Sequence, residues 1–156
     1  MSGPVETTLH DGWAELRIDR EAKRNAMDRA TRDAMQQAFA DLRGTARAIV
    51  LTGTGGSFCA GIDLKEYEAD RKRGVLTAGE EWIAVNLAIR AHPAIFIAAV
   101  NGLALGGGVT MLNACDLAIA TQDAKFSFSE VRLGLVAATI SPYVVAAIGP
   151  RQARAL

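Results

Sequence analysis

Two stretches decide the reading of this chain: TGTGGSFCAGID at 52–63 and NGLALGGGVT at 101–110. Each follows an apolar run, ARAIVLTG at 46–53 and AIFIAAV at 94–100. Runs of this length without polar alternation read as strands buried in a sheet. Each glycine turn then leads into a short helical pattern. The first is predicted at 64–69, with Asp63 as its N-cap; the second is VTMLNAC, 109–115. Strand, glycine turn and helix thus occur twice, at 48–66 and 94–114.

Working outward, VETTL and WAELRID alternate around the turn HDG and predict a hairpin over 5–19. EAKRN is a polar loop. Asp28 is placed to cap a helix over 29–42, with Ala30, Ala34, Met35, Ala38, Phe39 and Leu42 on its apolar face. The charged stretch 65–79 is expected to be mobile. A further helix over 80–91 turns Trp82, Ile83, Leu87 and Ala91 inward, and His92-Pro93 ends it. DLAIA at 116–120 reads as a third buried strand and AKFSF at 124–128 as a fourth, short one. The last helix starts near Ser141-Pro142. The order β–α–β–α–β defines an α/β domain.

Composition narrows the function. With 156 residues, half of them hydrophobic, the chain is one domain with ample core. Seventeen basic residues balance 17 acidic ones, so bulk attraction to nucleic acid or to an anionic membrane has no support. Two cysteines, Cys59 and Cys115, and two histidines, His10 and His92, make neither a disulfide scaffold nor a zinc site. The N-terminus lacks a basic start followed by an apolar run, and no apolar run reaches membrane-spanning length. A cytoplasmic setting is expected. Only four basic and three acidic residues lie in 91–156. That half is therefore expected to be interior, or to be covered by something. It ends in GPRQARAL directly after an apolar helical pattern, which reads as an interrupted ending.

Glycine-rich turns let a ligand approach the backbone, and amides freed at helix N-termini carry partial positive charge. Two such turns in one domain are able to aim two amides at one oxygen, as an oxyanion hole does. Purely structural glycines remain an alternative for either turn. A phosphate-binding loop does not fit: no Gly-Lys-Ser/Thr occurs, and after Gly53, Gly55 and Gly56 the next glycine falls at Gly61.

SFCAGIDLKEY at 57–67 and VNGLALGGGVTMLNACDLAIA at 100–120, with KRNAM at 23–27 and AKFSFSEVRLGL at 124–135, resemble the crotonase superfamily, the enoyl-CoA hydratase/isomerase family. The resemblance covers nearly the whole chain. It implies a spiral of ββα units that binds an acyl-coenzyme A thioester and acts in fatty-acid-type metabolism. It assigns the oxyanion amides to Ile62 and Gly107. Coenzyme A, part of the substrate rather than a separate cofactor, is expected along Lys23, Arg24, Ala26, Ala60, Gly61, Ile62, Asp63 and Leu64. The remaining binding positions implied are Tyr67, Gly106 and Thr110. No metal is implied. The family continues into a C-terminal helical part that is absent from these 156 residues, so the chain is read as an incomplete domain. A complete relative would be a homotrimer or a dimer of trimers.

The acidic positions separate the subfamilies. A two-glutamate hydratase has its first glutamate where this chain has Thr110; the second falls on Glu130. EVRLGL…ATISPYVV resembles hydratases of glutaconyl-type branched substrates, and GIDLKEY with Tyr67 resembles hydroxycinnamoyl-CoA hydratase-lyases. Independently of family, a carboxylate in a charge-poor half suits proton transfer, because burial favours the protonated form of a carboxyl group. Pairing with Arg132 or capping a turn are the structural alternatives for Glu130. Asp116 reads as a turn or pairing residue, and both cysteines as small buried hydrophobes. No nucleophile–base pair is visible. The expectation is a one-glutamate enoyl-CoA hydratase. The alternatives are a hydroxycinnamoyl-CoA hydratase-lyase, an enoyl-CoA isomerase, or a non-catalytic crotonase-like fragment or assembly protein.

Overall fold

The computed structural model describes residues 3–138 and 140–154. The ends at 1–2 and 155–156, which include the last residues of GPRQARAL, lie outside the described residues, as does Thr139 within ATISPYVV.

A hairpin of β1 (Val5–Leu9) and β2 (Trp13–Ile18) opens the fold. It joins β3 (Ala48–Gly53), β5 (Ile95–Val100) and β7 (Leu117–Ala120) in one sheet of order β1-β2-β3-β5-β7. Only β1 and β2 are antiparallel; the other pairs are parallel. Three strands of three residues each, β4 (Ser57–Cys59), β6 (Leu103–Leu105) and β8 (Lys125–Ser127), form a second parallel sheet, β4-β6-β8. Helices α1 (Arg29–Leu42), α2 (Leu64–Lys72), α3 (Ala78–Arg90), α4 (Gly107–Ala114) and α5 (Ser141–Ala153) complete the chain. Long strand, short strand and helix recur as β3–β4–α2/α3, β5–β6–α4 and β7–β8–α5, which is the ββα spiral.

The register explains the core. Leu16 pairs with Leu51, Ile49 with Phe96 and Leu51 with Ala98. These side chains point to one face and are fully buried with Ala14, Ile18 and Val100. The opposite faces of β3 and β5 are half-buried, so these strands are covered less evenly than an unbroken apolar run suggests. β4 and β6 sit inside what reads as glycine turns, and three residues are too few to display a strand period.

Three expectations are corrected. Residues 65–79 are not a loose loop: α2 and the start of α3 occupy most of them. Arg32, only 1% exposed, reaches from α1 to Glu81 (2.5 Å) and Glu66 (3.1 Å), and Arg29 reaches Asp70 and Glu81 at 3.0 Å each. These ion pairs tie α2 and α3 to α1. Second, β7 is not buried: all four residues are exposed, with Leu117 at 57% and Ile119 at 67%. β7 is the last strand of its sheet and pairs along one edge only, with β5. Third, β8 is exposed throughout. The charge-poor half is thus interior along β5 and α4 but exposed at β7 and β8.

Candidate active site

The site grows from the loop that ends in KRNAM. Arg24 and Asn25 both adopt left-handed backbone angles, with φ of 51° and 57°. Asn25 holds this uncommon geometry with its buried side chain. Its Nδ2 donates to the carbonyls of Thr54 (2.9 Å) and Ser57 (2.7 Å), and its Oδ1 accepts from the Arg20 amide (2.9 Å). The loop thereby clasps the first glycine turn. Ala60 donates to the Arg24 carbonyl, Met27 to the Gly61 carbonyl, and Asp63 to the Met27 carbonyl. This parallel bridge between Met27 and Ile62 uses the amides on either side of it and leaves the Ile62 amide unbonded among the described residues.

The second turn meets the first here. Gly61, at φ +86°, needs a conformation that L side chains resist. A Cβ at Gly61 would stand 3.1 Å from the Gly107 nitrogen. Gly107 is the first residue of α4, so its amide has no partner within the helix, and none elsewhere among the described residues. Gly106 is anchored from behind by donation to the Ser127 carbonyl at 2.9 Å. Glu130 opens a short 3-10 turn over Glu130–Leu133, closed by Gly134 in the left-handed region. Its Oε1 lies 2.5 Å from where a Cβ on Gly106 would be, and its Oε2 is buried without a hydrogen-bond partner among the described residues. On the other flank the Trp82 indole lies against Gly107.

These residues share a cavity of about 500 Å³. Lys23, Arg24, Ala26, Ala60, Gly61, Ile62, Asp63, Leu64, Tyr67, Gly106, Gly107 and Glu130 all line it. Thr110 does not: the first turn of α4 carries it to the buried side, where it is 0% exposed and its hydroxyl has no partner. Sequence reasoning missed Lys65, Ala78, Gly79, Leu105, Ser129, Leu135, Val136 and Ile140, and read Trp82 as core alone. Trp82 is indeed only 5% exposed, but its ring also walls the cavity. The available signal was helical spacing, which puts Ala78, Gly79 and Trp82 on one face of α3.

Several acidic and nucleophilic groups have structural duties. Asp63 caps α2, accepting from the Lys65 amide at 3.0 Å, and pairs with Arg20, which also pairs with the α1 cap Asp28. Burial and the hydrogen bonds from Thr31, ahead of the Arg20 charge, set the Asp28 carboxyl, with a net lowering. Asp116 accepts from the Phe96 amide at 2.8 Å and fixes β7 to β5. Burial pushes both thiols, Cys59 and Cys115, up to about 12, so neither is a ready nucleophile. Burial also lowers the His92 pKa, and its ring bridges the Ala94 amide and the Phe39 carbonyl. Among the described residues no group of three metal-ligating side chains gathers, and no helix is long and apolar enough to cross a membrane.

Fold and cavity together define an α/β protein of the ββα-spiral class with two glycine turns converging on one site. Residues 8–156 match the family described as Enoyl-CoA hydratase/isomerase, and the chain belongs to that family. It is 38% identical to a probable enoyl-CoA hydratase of Rhodobacter capsulatus over 85% of this chain and 51% of that protein. It is 35% identical to a hydroxycinnamoyl-CoA hydratase-lyase of Pseudomonas fluorescens over 95% of this chain and 56% of that protein. The solved structure of Pseudomonas aeruginosa AtuE superposes with a TM-score of 0.93 at 34% identity, covering 98% of this chain and 61% of that one. The chain thus spans about half the length of the curated relatives it matches.

Proposed function

We propose that this chain forms the acyl-CoA-binding core of an enoyl-CoA hydratase with one acid/base glutamate. One observation carries the reading: Ile62 and Gly107, whose amides make no hydrogen bond among the described residues, line one cavity together with Glu130. The thioester oxygen accepts from both amides and gains negative charge as water adds to the β-carbon. Glu130 takes the proton released by that water and delivers a proton to the α-carbon, which leaves the 3-hydroxyacyl thioester and restores the carboxylate. Lys23 and Arg24, which line the cavity, suit the phosphates of coenzyme A. The reading includes a cytoplasmic setting and, for the complete protein, a homotrimer or a dimer of trimers. It needs no cofactor besides the coenzyme A of the substrate.

Glu130→Gln is expected to lower hydration of 2-enoyl-CoA at least about a hundredfold, with acyl-CoA binding little changed. Turnover within about threefold of the parent would remove Glu130 from the chemistry. Tyr67 on the cavity wall favours a second reading, a hydratase-lyase for hydroxycinnamoyl-CoA. Only that activity releases acetyl-CoA and an aldehyde, so product analysis separates the two.

A further inference from the structure

Beside Gly107 the cavity wall is a large indole. Trp82 is 5% exposed, and a Cβ on Gly107 would lie only 2.9 Å from its Nε1. Among the described residues the ring has no hydrogen bond through Nε1, so packing sets its place. One helical turn earlier, α3 presents Ala78 and Gly79 to the same cavity. Along α3 the cavity-lining residues therefore run small, small, large. Leu105 and Ile140 add apolar lining to the same cavity.

We propose that Trp82 is the stop that limits acyl length in this cavity, and that the first turn of α3 is the track on which a short, apolar, unbranched 2-enoyl group lies. The inference rests on the reading above, because the thioester oxygen must sit at the Gly107 amide for the chain beyond it to meet the indole. An acyl group held there meets the ring after passing over Ala78 and Gly79. A longer chain then requires the ring to leave.

Calorimetry with butyryl-CoA, decanoyl-CoA and coenzyme A alone tests this without relying on turnover. Trp82→Ala should raise the affinity for decanoyl-CoA relative to butyryl-CoA at least about tenfold, the scale on which a few methylenes are discriminated. Trp82→Phe, which keeps a ring in place, should hold the parent ratio. If Trp82→Ala does not fold, Ala78→Leu decides: it should weaken butyryl-CoA about tenfold and leave coenzyme A alone unchanged. A ratio unmoved by Trp82→Ala, or butyryl-CoA affinity unmoved by Ala78→Leu in its stead, would overturn the length stop while leaving the acyl-CoA reading intact. Failure of the parent chain to bind coenzyme A or either of its two thioesters would overturn the reading itself.

Discussion

The two crossovers that build the site reach the same geometry by different means. The first, from Gly53 through α2, is held by polar groups. Asn25 and Asn101 donate to its carbonyls, Arg20 joins two capping carboxylates, and Arg29 and Arg32 clamp α2. The second, from Asn101 through α4, carries no charged side chain and is held by fit. Gly108 packs on the Cys59 carbonyl and Gly107 on Trp82, with no room for a Cβ at either. Directional bonds tolerate a change in size but not a lost donor. Close backbone contact tolerates the reverse. The site thus joins a turn that polar groups hold as well as fit, since a Cβ on Gly53 would lie 2.4 Å from the Ser57 and Phe58 carbonyls, to a turn that fit holds.

The largest effect that sharpens this contrast is expected at Asn25. Asn25→Ala leaves the half-buried Thr54 and Ser57 carbonyls without their donor and puts alanine in a left-handed conformation. A loss of about 3–4 kcal/mol is expected from urea unfolding. A loss below about 1 kcal/mol would mean that the backbone alone shapes the first turn.

Gly108→Ala should cost less, about 2–3 kcal/mol, through the collision of the new Cβ with the Cys59 backbone. Differential scanning fluorimetry on parent and variant reads it as a lowered midpoint. An unchanged midpoint would show that the second turn gives way readily and is not held by fit.

Acid should produce the smallest and most local effect. Burial alone would raise the Glu81 pKa, but hydrogen bonds from Thr77, Arg32 and Arg29 overcome it and hold the group at about 2, against an ordinary 4.5. The Asp70 carboxyl is lowered too, first by its hydrogen bond from Arg73. Both groups have depressed folded pKa values, so their stabilisation is complete above the ordinary carboxylate range and is lost as pH falls from about 4.5 towards about 2. Hydrogen exchange across that window should show α2 losing protection before α4. Loss of protection in α4 first would dissolve the distinction between the two crossovers.

A second contrast runs between the strands of the core and the last two strands. β2, β3 and β5 bury one face completely, whereas β7 and β8 leave Leu117, Ile119 and Phe126 exposed.

Much was legible in the sequence because it depends on local chemistry. Apolar runs, glycine turns and caps at Asp28 and Asp63 give the order of strands and helices from residue identity alone. The cavity-lining stretches KRNAM, AGIDL and GGG could be quoted because close backbone approach demands glycine and leaves a readable pattern. Tertiary structure decided what depends on neighbours distant in the chain. No spacing rule says that Arg32, charged and on a helix of ordinary phase, is buried to hold α2 in place. None distinguishes β7, exposed at a sheet edge, from β5, since both are short apolar runs. Helical phase alone reads Trp82 as core and leaves Thr110 free to face the site. Packing of α3 against α4 makes Trp82 a cavity wall and hides Thr110, because burial is a property of what a residue meets, not of what it is.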